Sequence, residues 1–289
     1  MRRGSRIPPM NNLKTVGLLA FMAALLFWIV YAMGGGVTTA IIVVVAFNFL
    51  AFFFSDRLAL AASRARPVTE AEFPKVYAIV RRLCVQTGMP MPSIHVIDAP
   101  QPNAFATGRS PKKAAVAVTT GILQTLSFDE LEGVLGHELA HVMNRDILIS
   151  SIAAMIGAAI SILLRFALWF GGGDNRSNPL GAIGLLLSLI VAPIVAMLIR
   201  FAISRTREFQ ADRSGAEITG RPLVLASALE KISEGTARVP MRIDPAHSQL
   251  FIDNPLKAIR GRGVMRLLST HPPTEERIDR LQKMAMGIS

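Results

Sequence analysis

The sequence predicts a mainly helical membrane protein: four spans in two hairpins, and a cytoplasmic α+β domain built from the segments on either side of the second hairpin. Three observations carry this. The chain of 289 residues is 51% hydrophobic with mean hydropathy +0.43, too apolar for an ordinary soluble protein. Its 18% charged residues are too many for an all-membrane bundle, so spans and a polar domain share the chain. The apolar residues are gathered into four runs, each near the length needed to cross a hydrocarbon core.

Composition also sets the surroundings. The single cysteine, Cys84, excludes an intramolecular disulfide and suits the reducing cytosol. The formal charge of +11 raises the question of nucleic acid, but no Gly-aromatic or basic-aromatic RNA motif is present. Basic residues flanking membrane spans explain the charge, and no nucleic-acid partner is expected.

Residues 1–15 form a basic leader, in which Met1 and Met10 are both candidate starts of translation. The leader has the positive character of a signal peptide. The apolar stretch after it is long, however, no small-x-small cleavage site follows, and a second span comes at once, so a retained anchor is expected. Segment 16–55 is the first hairpin, with spans at about Val16–Met33 and Val37–Phe54 and only "GGG" between them.

Segment 56–146 is the first part of the cytoplasmic domain. "TEAEFPKVYAIVRRLCVQTG" reads as a helix: Thr69 with Glu72 makes a capping box, Phe73, Val76, Tyr77, Val80 and Cys84 share a face, and Gly88 ends it. "PSIHVIDAP" and "AAVAVTT" read as strands, with "NAFATG" at 103–108 a strand beside them and "RSPKK" a turn. Ser127 with Glu130 makes a second capping box and opens a helix carrying "GHELAH".

Segment 147–202 is the second hairpin, with spans at about Ile147–Phe170 and Leu180–Ala202 around the polar turn "GGGDNRSNP". Segment 203–289 completes the domain, with helices over "RPLVLASALEKIS" and "PPTEERIDRLQKM". Arg2, Arg3, Arg6 and Lys14 precede the first span, Arg57, Arg64 and Arg66 follow the second, Arg145 flanks the third, and Arg200, Arg205 and Arg207 lie at the end of the fourth. The two short turns hold only Arg176, so both termini and the polar domain are expected in the cytoplasm.

The chemistry lies in "GVLGHELAHVMNRDILIS", Gly133–Ser150. His137 and His141 are one helical turn apart, so both imidazoles leave the same face and can share one metal ion. Glu138 sits beside that ion without binding it, placed to take the proton from a water that the metal acidifies. H-E-x-x-H arises by chance in on the order of one chain in a hundred, but here it lies on a capped helix at a membrane edge. A catalytic zinc takes three protein ligands and keeps one position open. "SRTREFQADRSG" offers Glu208 and Asp212, again one turn apart. Glu208 can ligate while Asp212 fixes the tautomer of a ligating histidine, or both can be charges on a solvated face.

"GHELAHVMNRD", "SRTREFQADRSG" and "STHPPTEERIDRL", in that order around a membrane hairpin, resemble the HtpX family of membrane zinc endopeptidases, which are gluzincins related to the prenyl-protein CAAX endopeptidases. The resemblance covers nearly the whole chain. It implies a gluzincin-like protease domain holding one zinc on His137, His141 and Glu208, with Glu138 as general base and Asp212 supporting a ligand. It further implies a multi-pass protein of the bacterial plasma membrane, with membrane lipid around it. Its substrates would be damaged or misassembled membrane proteins and unfolded polypeptides, often alongside an ATP-dependent membrane protease. The resemblance also places His271 near the active site, where the prolines after it would aim the imidazole as an oxyanion donor. The alternative for His271 is a structural cap. In such a site an edge strand binds extended substrate, and Asn103, Ala104 and Phe105 are the candidates, against the alternative of an ordinary buried strand.

Two rival readings are an intramembrane zinc protease and a non-catalytic metal-binding scaffold. Asp129, Glu130 and Glu132 precede the histidines within two turns, too polar for lipid depth, and no aspartate lies in the fourth span. Glu138 counts against a scaffold, because a purely structural site leaves that position free. His95, alternating with Ile94 and Val96, reads as structural, and His247 falls in an irregular stretch, 235–269.

Overall fold

The computed structural model describes residues 9–32, 34–152, 205–238, 252 and 272–288. Helices α1 (Pro9–Ala32) and α2 (Gly36–Ala62) pack together as the expected first hairpin. Gly34 and Gly36 turn the chain at φ of 83° and 71°, a region that strains any residue with a Cβ. Among the described residues α2 alone is long and apolar enough to cross a membrane; α1 carries a shorter apolar stretch, Leu19–Trp28. The predicted third and fourth spans lie outside the described residues beyond position 152.

Helix α2 runs on past the predicted end of its span at Phe54 to Ala62. Its extension packs on one face of a four-stranded sheet, where Ala59 and Leu60 meet Ile97, Ala99, Phe105 and Ala117. The strands are β1 (Arg66–Pro67), β2 (Ser93–Ile97), β3 (Ala104–Gly108) and β4 (Ala114–Thr119), in the order β1-β2-β4-β3. Strand β4 runs parallel to β2 and antiparallel to β3, so the expected "NAFATG" strand is an edge. The "RSPKK" turn forms a single 3₁₀ turn at Pro111–Lys113. The short β1 and helix α4 (Thr120–Thr125) have no counterpart in the sequence reading.

Helix α3 (Pro74–Thr87) starts later than its capping-box signature predicts. The Thr69–Glu72 hydrogen bonds do form, with Thr69 N–H donating to Glu72 Oε2 at 2.8 Å, but within a turn ahead of the helix. Proline keeps the residue before it out of helical geometry, and Phe73 is at φ −131° and ψ 60°, so the helix begins with Pro74 in its first turn. The second signature holds: Ser127 caps α5 (Phe128–Met143), with Ser127 N–H on Glu130 Oε2 at 2.9 Å and Glu130 N–H on Ser127 Oγ at 3.3 Å.

Helices α6 (Arg205–Thr219), α7 (Pro222–Arg238) and α8 (Thr274–Ala285) complete the described fold. The core lies on the other face of the sheet, where Ile94, Val96, Val116 and Val118 pack with Ile79 and Leu83 of α3, Leu135 and Leu139 of α5, Leu225 and Leu229 of α7, and Leu281 of α8. Helix α5 is at the centre and is buried nearly from end to end.

Helix α5 does not run continuously toward the predicted third span. It stops at Met143, Arg145 takes a left-handed φ of 58°, and a new helical stretch begins at Asp146 and is described to 152. A side-chain-bearing residue in that conformation breaks the α-helical ladder, and the break aims Asp146 back at His141.

Candidate metal centre

Two helices build the site by crossing closely. A Cβ at Gly215 of α6 would lie 2.7 Å from the backbone nitrogen of His137, so only glycine permits this approach. Gly136 of α5 faces the same crossing, with Thr219 and Gly215 as its neighbours. One turn and two turns before Gly215, Asp212 and Glu208 then reach the histidine face of α5.

Three donor groups converge there. His137 Nε2 and His141 Nε2 are 3.2 Å apart, and the Glu208 carboxylate stands 3.8 Å from the first and 3.6 Å from the second. The two rings meet edge to face. Each far nitrogen has its own carboxylate: His137 Nδ1 is 2.9 Å from Asp212 Oδ1, and His141 Nδ1 is 3.2 Å from Asp146 Oδ2. A carboxylate on each Nδ1 fixes the proton there and leaves the Nε2 lone pairs pointing at one another. Two lone pairs and a carboxylate facing one small space repel unless a cation sits among them. Two imidazoles and a carboxylate suit zinc, so the residues present fit that ion.

The electrostatics agree. Burial opposes charging His141, but the carboxylates of Glu208, Asp146 and Glu138 outweigh it and push the imidazole up to about 9. The same carboxylates make the space between the donors favourable for positive charge. Burial also opposes ionising Asp212, yet Arg277 and His137 keep its carboxyl well below the usual range. Arg277, from α8, is 1% exposed and grips Asp212 with both prongs, Nε to Oδ2 at 2.8 Å and Nη2 to Oδ1 at 2.6 Å. Its Nη1 donates to the Ile252 carbonyl at 3.2 Å. Burial disfavours the guanidinium charge, and Asp212, Glu208 and Glu138 more than restore it.

Glu138 is buried beside the three donors, and its Oε2 accepts the Ala106 N–H of β3 at 2.9 Å. The neighbouring outward N–H, that of Gly108, donates to Ser151 Oγ at 3.3 Å. The edge of β3 therefore lies against the metal centre with two of its donors covered by side chains.

The structure thus brings together His137, Glu138, His141, Glu208 and Asp212. Of the strand residues, Ala104 packs in the core that holds α5, whereas Phe105 faces the α2 side of the sheet. Asn103 turns its Oδ1 to the Ile252 N–H at 3.0 Å. His271 and His247 lie outside the described residues. His95 sits on β2 with Nε2 3.2 Å from Ser93 Oγ, away from the metal donors. Two participants escaped the sequence reading, Arg277 and Asp146. Thr274, Arg277, Ile278 and Leu281 follow the i, i+3, i+4, i+7 pattern of a buried face, so a cation in that phase was a legible signal. Asp146 offered none, because its aim depends on the left-handed Arg145.

The sequence profile of peptidase family M48 matches residues 70–285. The chain belongs to peptidase family M48. M48 peptidases are zinc-dependent, and this chain is accordingly a metallopeptidase, a hydrolase acting on peptide bonds. A relative in Thermodesulfovibrio yellowstonii, described as "Protease HtpX homolog", is 49% identical over 282 residues, covering 96% of this chain and 99% of its own. A solved structure, the crystal structure of S. mikatae Ste24p, superposes with a TM-score of 0.50 at 18% identity. That match covers 94% of this chain and 65% of Ste24p, and at such identity it speaks for the fold alone.

Proposed function

We propose that this M48 protein is a membrane-bound zinc endopeptidase that hydrolyses peptide bonds of misfolded or damaged membrane proteins at the cytoplasmic face. The observation that carries the reading is the placing of Glu138 beside three convergent donors, two imidazole nitrogens 3.2 Å apart and the Glu208 carboxylate. His137, His141 and Glu208 would hold the ion, which when bound would acidify water and polarise the scissile carbonyl. Glu138 accepts the proton and returns it to the leaving amine. Asp212 and Asp146 orient the two imidazoles.

Extended substrate pairs with the edge of β3 by backbone hydrogen bonds, displacing Glu138 from Ala106 N–H and Ser151 from Gly108 N–H. Such pairing asks little of substrate sequence, as quality control requires. His271 supplies the oxyanion donor from outside the described residues, and an ATP-dependent membrane protease acts on the same substrates. The membrane reading is supported by α2 and by the basic residues that flank the apolar runs.

Incubating the purified protein with an unfolded casein-like substrate tests the chemistry. Cleavage should stop with chelator and return with zinc; chelator-resistant cleavage would refute the metal's role. A cysteine introduced at Asp129, an exposed position in the first turn of α5, tests the placement. It should react with a water-soluble thiol reagent from the cytoplasmic side only.

A further inference from the structure

The turn joining β3 to β4, "RSPKK" at 109–113, holds three basic side chains that the metal centre does not use. Lys112 and Lys113 are exposed and Arg109 is half-buried. Among the described residues no carboxylate pairs with any of them, and the chain carries no Asp or Glu between Asp98 and Asp129. Asp98 itself is at the far end of the sheet, beside Thr120. A cluster of this kind on an ordinary protein surface is simply solvated. Its height on the molecule argues otherwise here.

The Arg109 guanidinium carbon lies 5.1 Å from the ring centroid of Phe53 on α2. Phe53 belongs to an apolar, outward-facing stretch with Phe49, Leu50 and Phe52, and the first charges after it are Asp56 and Arg57. At about 1.5 Å of rise per residue, Phe53 is only about 5 Å along the helix from Asp56. The turn is therefore level with the boundary between acyl chains and headgroups rather than out in water. It is held at that height, because Phe105 and Ala117 of the strands leading into and out of the turn pack on Ala59 of α2.

We propose that the Arg109–Lys113 turn binds the phosphate of an anionic phospholipid headgroup and thereby seats the sheet on the bilayer. The inference rests on α2 crossing the membrane. A guanidinium stacked on an aromatic ring keeps its donor edge free for phosphate oxygens, and lysine stems can lie along apolar surface with their heads at the phosphates. Because β3 runs directly into this turn, the same contact fixes the strand that lies against Glu138.

The full-length protein in a neutral detergent, analysed by native mass spectrometry with added palmitoyl-oleoyl phosphatidylglycerol or phosphatidylcholine, tests the site. The wild type should retain phosphatidylglycerol in preference to phosphatidylcholine. Arg109→Gln/Lys112→Gln/Lys113→Gln should weaken that retention on the order of 10²-fold, while Arg213→Gln, an exposed cation on α6, should not change it. Should the triple variant fold poorly, Lys112→Gln/Lys113→Gln alone should still weaken retention on the order of 10-fold. Equal retention of the two lipids, or unchanged retention by the variants, would overturn the proposal. So would displacement of the lipid by millimolar inorganic phosphate, which would mark a free-anion site instead. Zinc content and casein cleavage, measured on the same samples, report on the metal centre separately. Lipid selectivity without peptidase activity would sink the proposed function and leave this site standing.

Discussion

Arg277 and His137 stand 140 residues apart in the chain and on either side of one carboxylate: Asp212 gives Oδ1 to the guanidinium at 2.6 Å and to His137 Nδ1 at 2.9 Å. The buried cation therefore acts on the metal through an anion and a ligand. We predict that Arg277→Gln lowers zinc affinity about 10–100-fold, the size seen when partners of metal ligands are removed. It should also destabilise the fold by about 3–5 kcal/mol by stranding Asp212. Asp212→Asn added to Arg277→Gln should cause little further loss of affinity, since both changes cut one chain of contacts. Chelator competition on the four proteins decides this. Losses that simply add would show that Arg277 does not work through Asp212.

Glu138→Gln should retain zinc and lose turnover by about 10²–10⁴-fold, because the amide keeps the shape but cannot take a proton. Metal analysis beside a peptide assay is sufficient, and near-normal cleavage by the zinc-loaded variant would remove Glu138 from its role.

Glu208→Ala should empty the site, whereas Asp212→Asn should weaken it about 10–100-fold. A full site in the first variant and an empty one in the second would exchange the two assignments.

The pH dependence of metal binding follows from His141. In the metal-free protein its pKa stands at about 9 against an ordinary 6.5, so the imidazolium stabilises the fold. That contribution is complete below about 6.5 and is lost as pH rises through about 9. Zinc has to displace this proton. Its apparent affinity should climb about tenfold per pH unit up to about 9 and then level, with one proton released per ion. Calorimetry in buffers of different ionisation enthalpy counts that proton; a flat profile would mean that His141 is not a ligand.

Gly215→Ala should part α5 from α6, since the added methyl would start 2.7 Å from the His137 backbone nitrogen. We expect about 1–3 kcal/mol of destabilisation and a weaker hold on zinc, read by thermal unfolding with and without the metal. An unchanged affinity would show that the crossing can relax without moving Glu208.

Much of this was legible because it is local. His137 with His141 and Glu208 with Asp212 are spaced by one helical turn, and a helix turns such spacing into a shared face. That "NAFATG" is a strand followed from the neighbouring strands and the turn after it, whereas its edge position came only with the family resemblance. What could not be read arose from breaks in local rules. Pro74 displaced the start of α3 past its apparent cap, and Arg145 interrupted a helix that hydropathy alone would carry onward. Arg277 is an intermediate case. Its phase on α8 marked it as buried, but the partner that makes burial tolerable lies 65 positions away, where no window on the sequence reaches.

That long reach has a bearing on how the molecule comes into being. During translation the histidines emerge early, and the helix with Glu208 and Asp212 follows after the second apolar pair. The guanidinium that neutralises Asp212 arrives later still. Until position 277 has left the ribosome, the Asp212 carboxylate lacks the guanidinium that neutralises it in the folded chain. The support that Asp212 gives His137 is thus completed only once Thr274–Ala285 has been made.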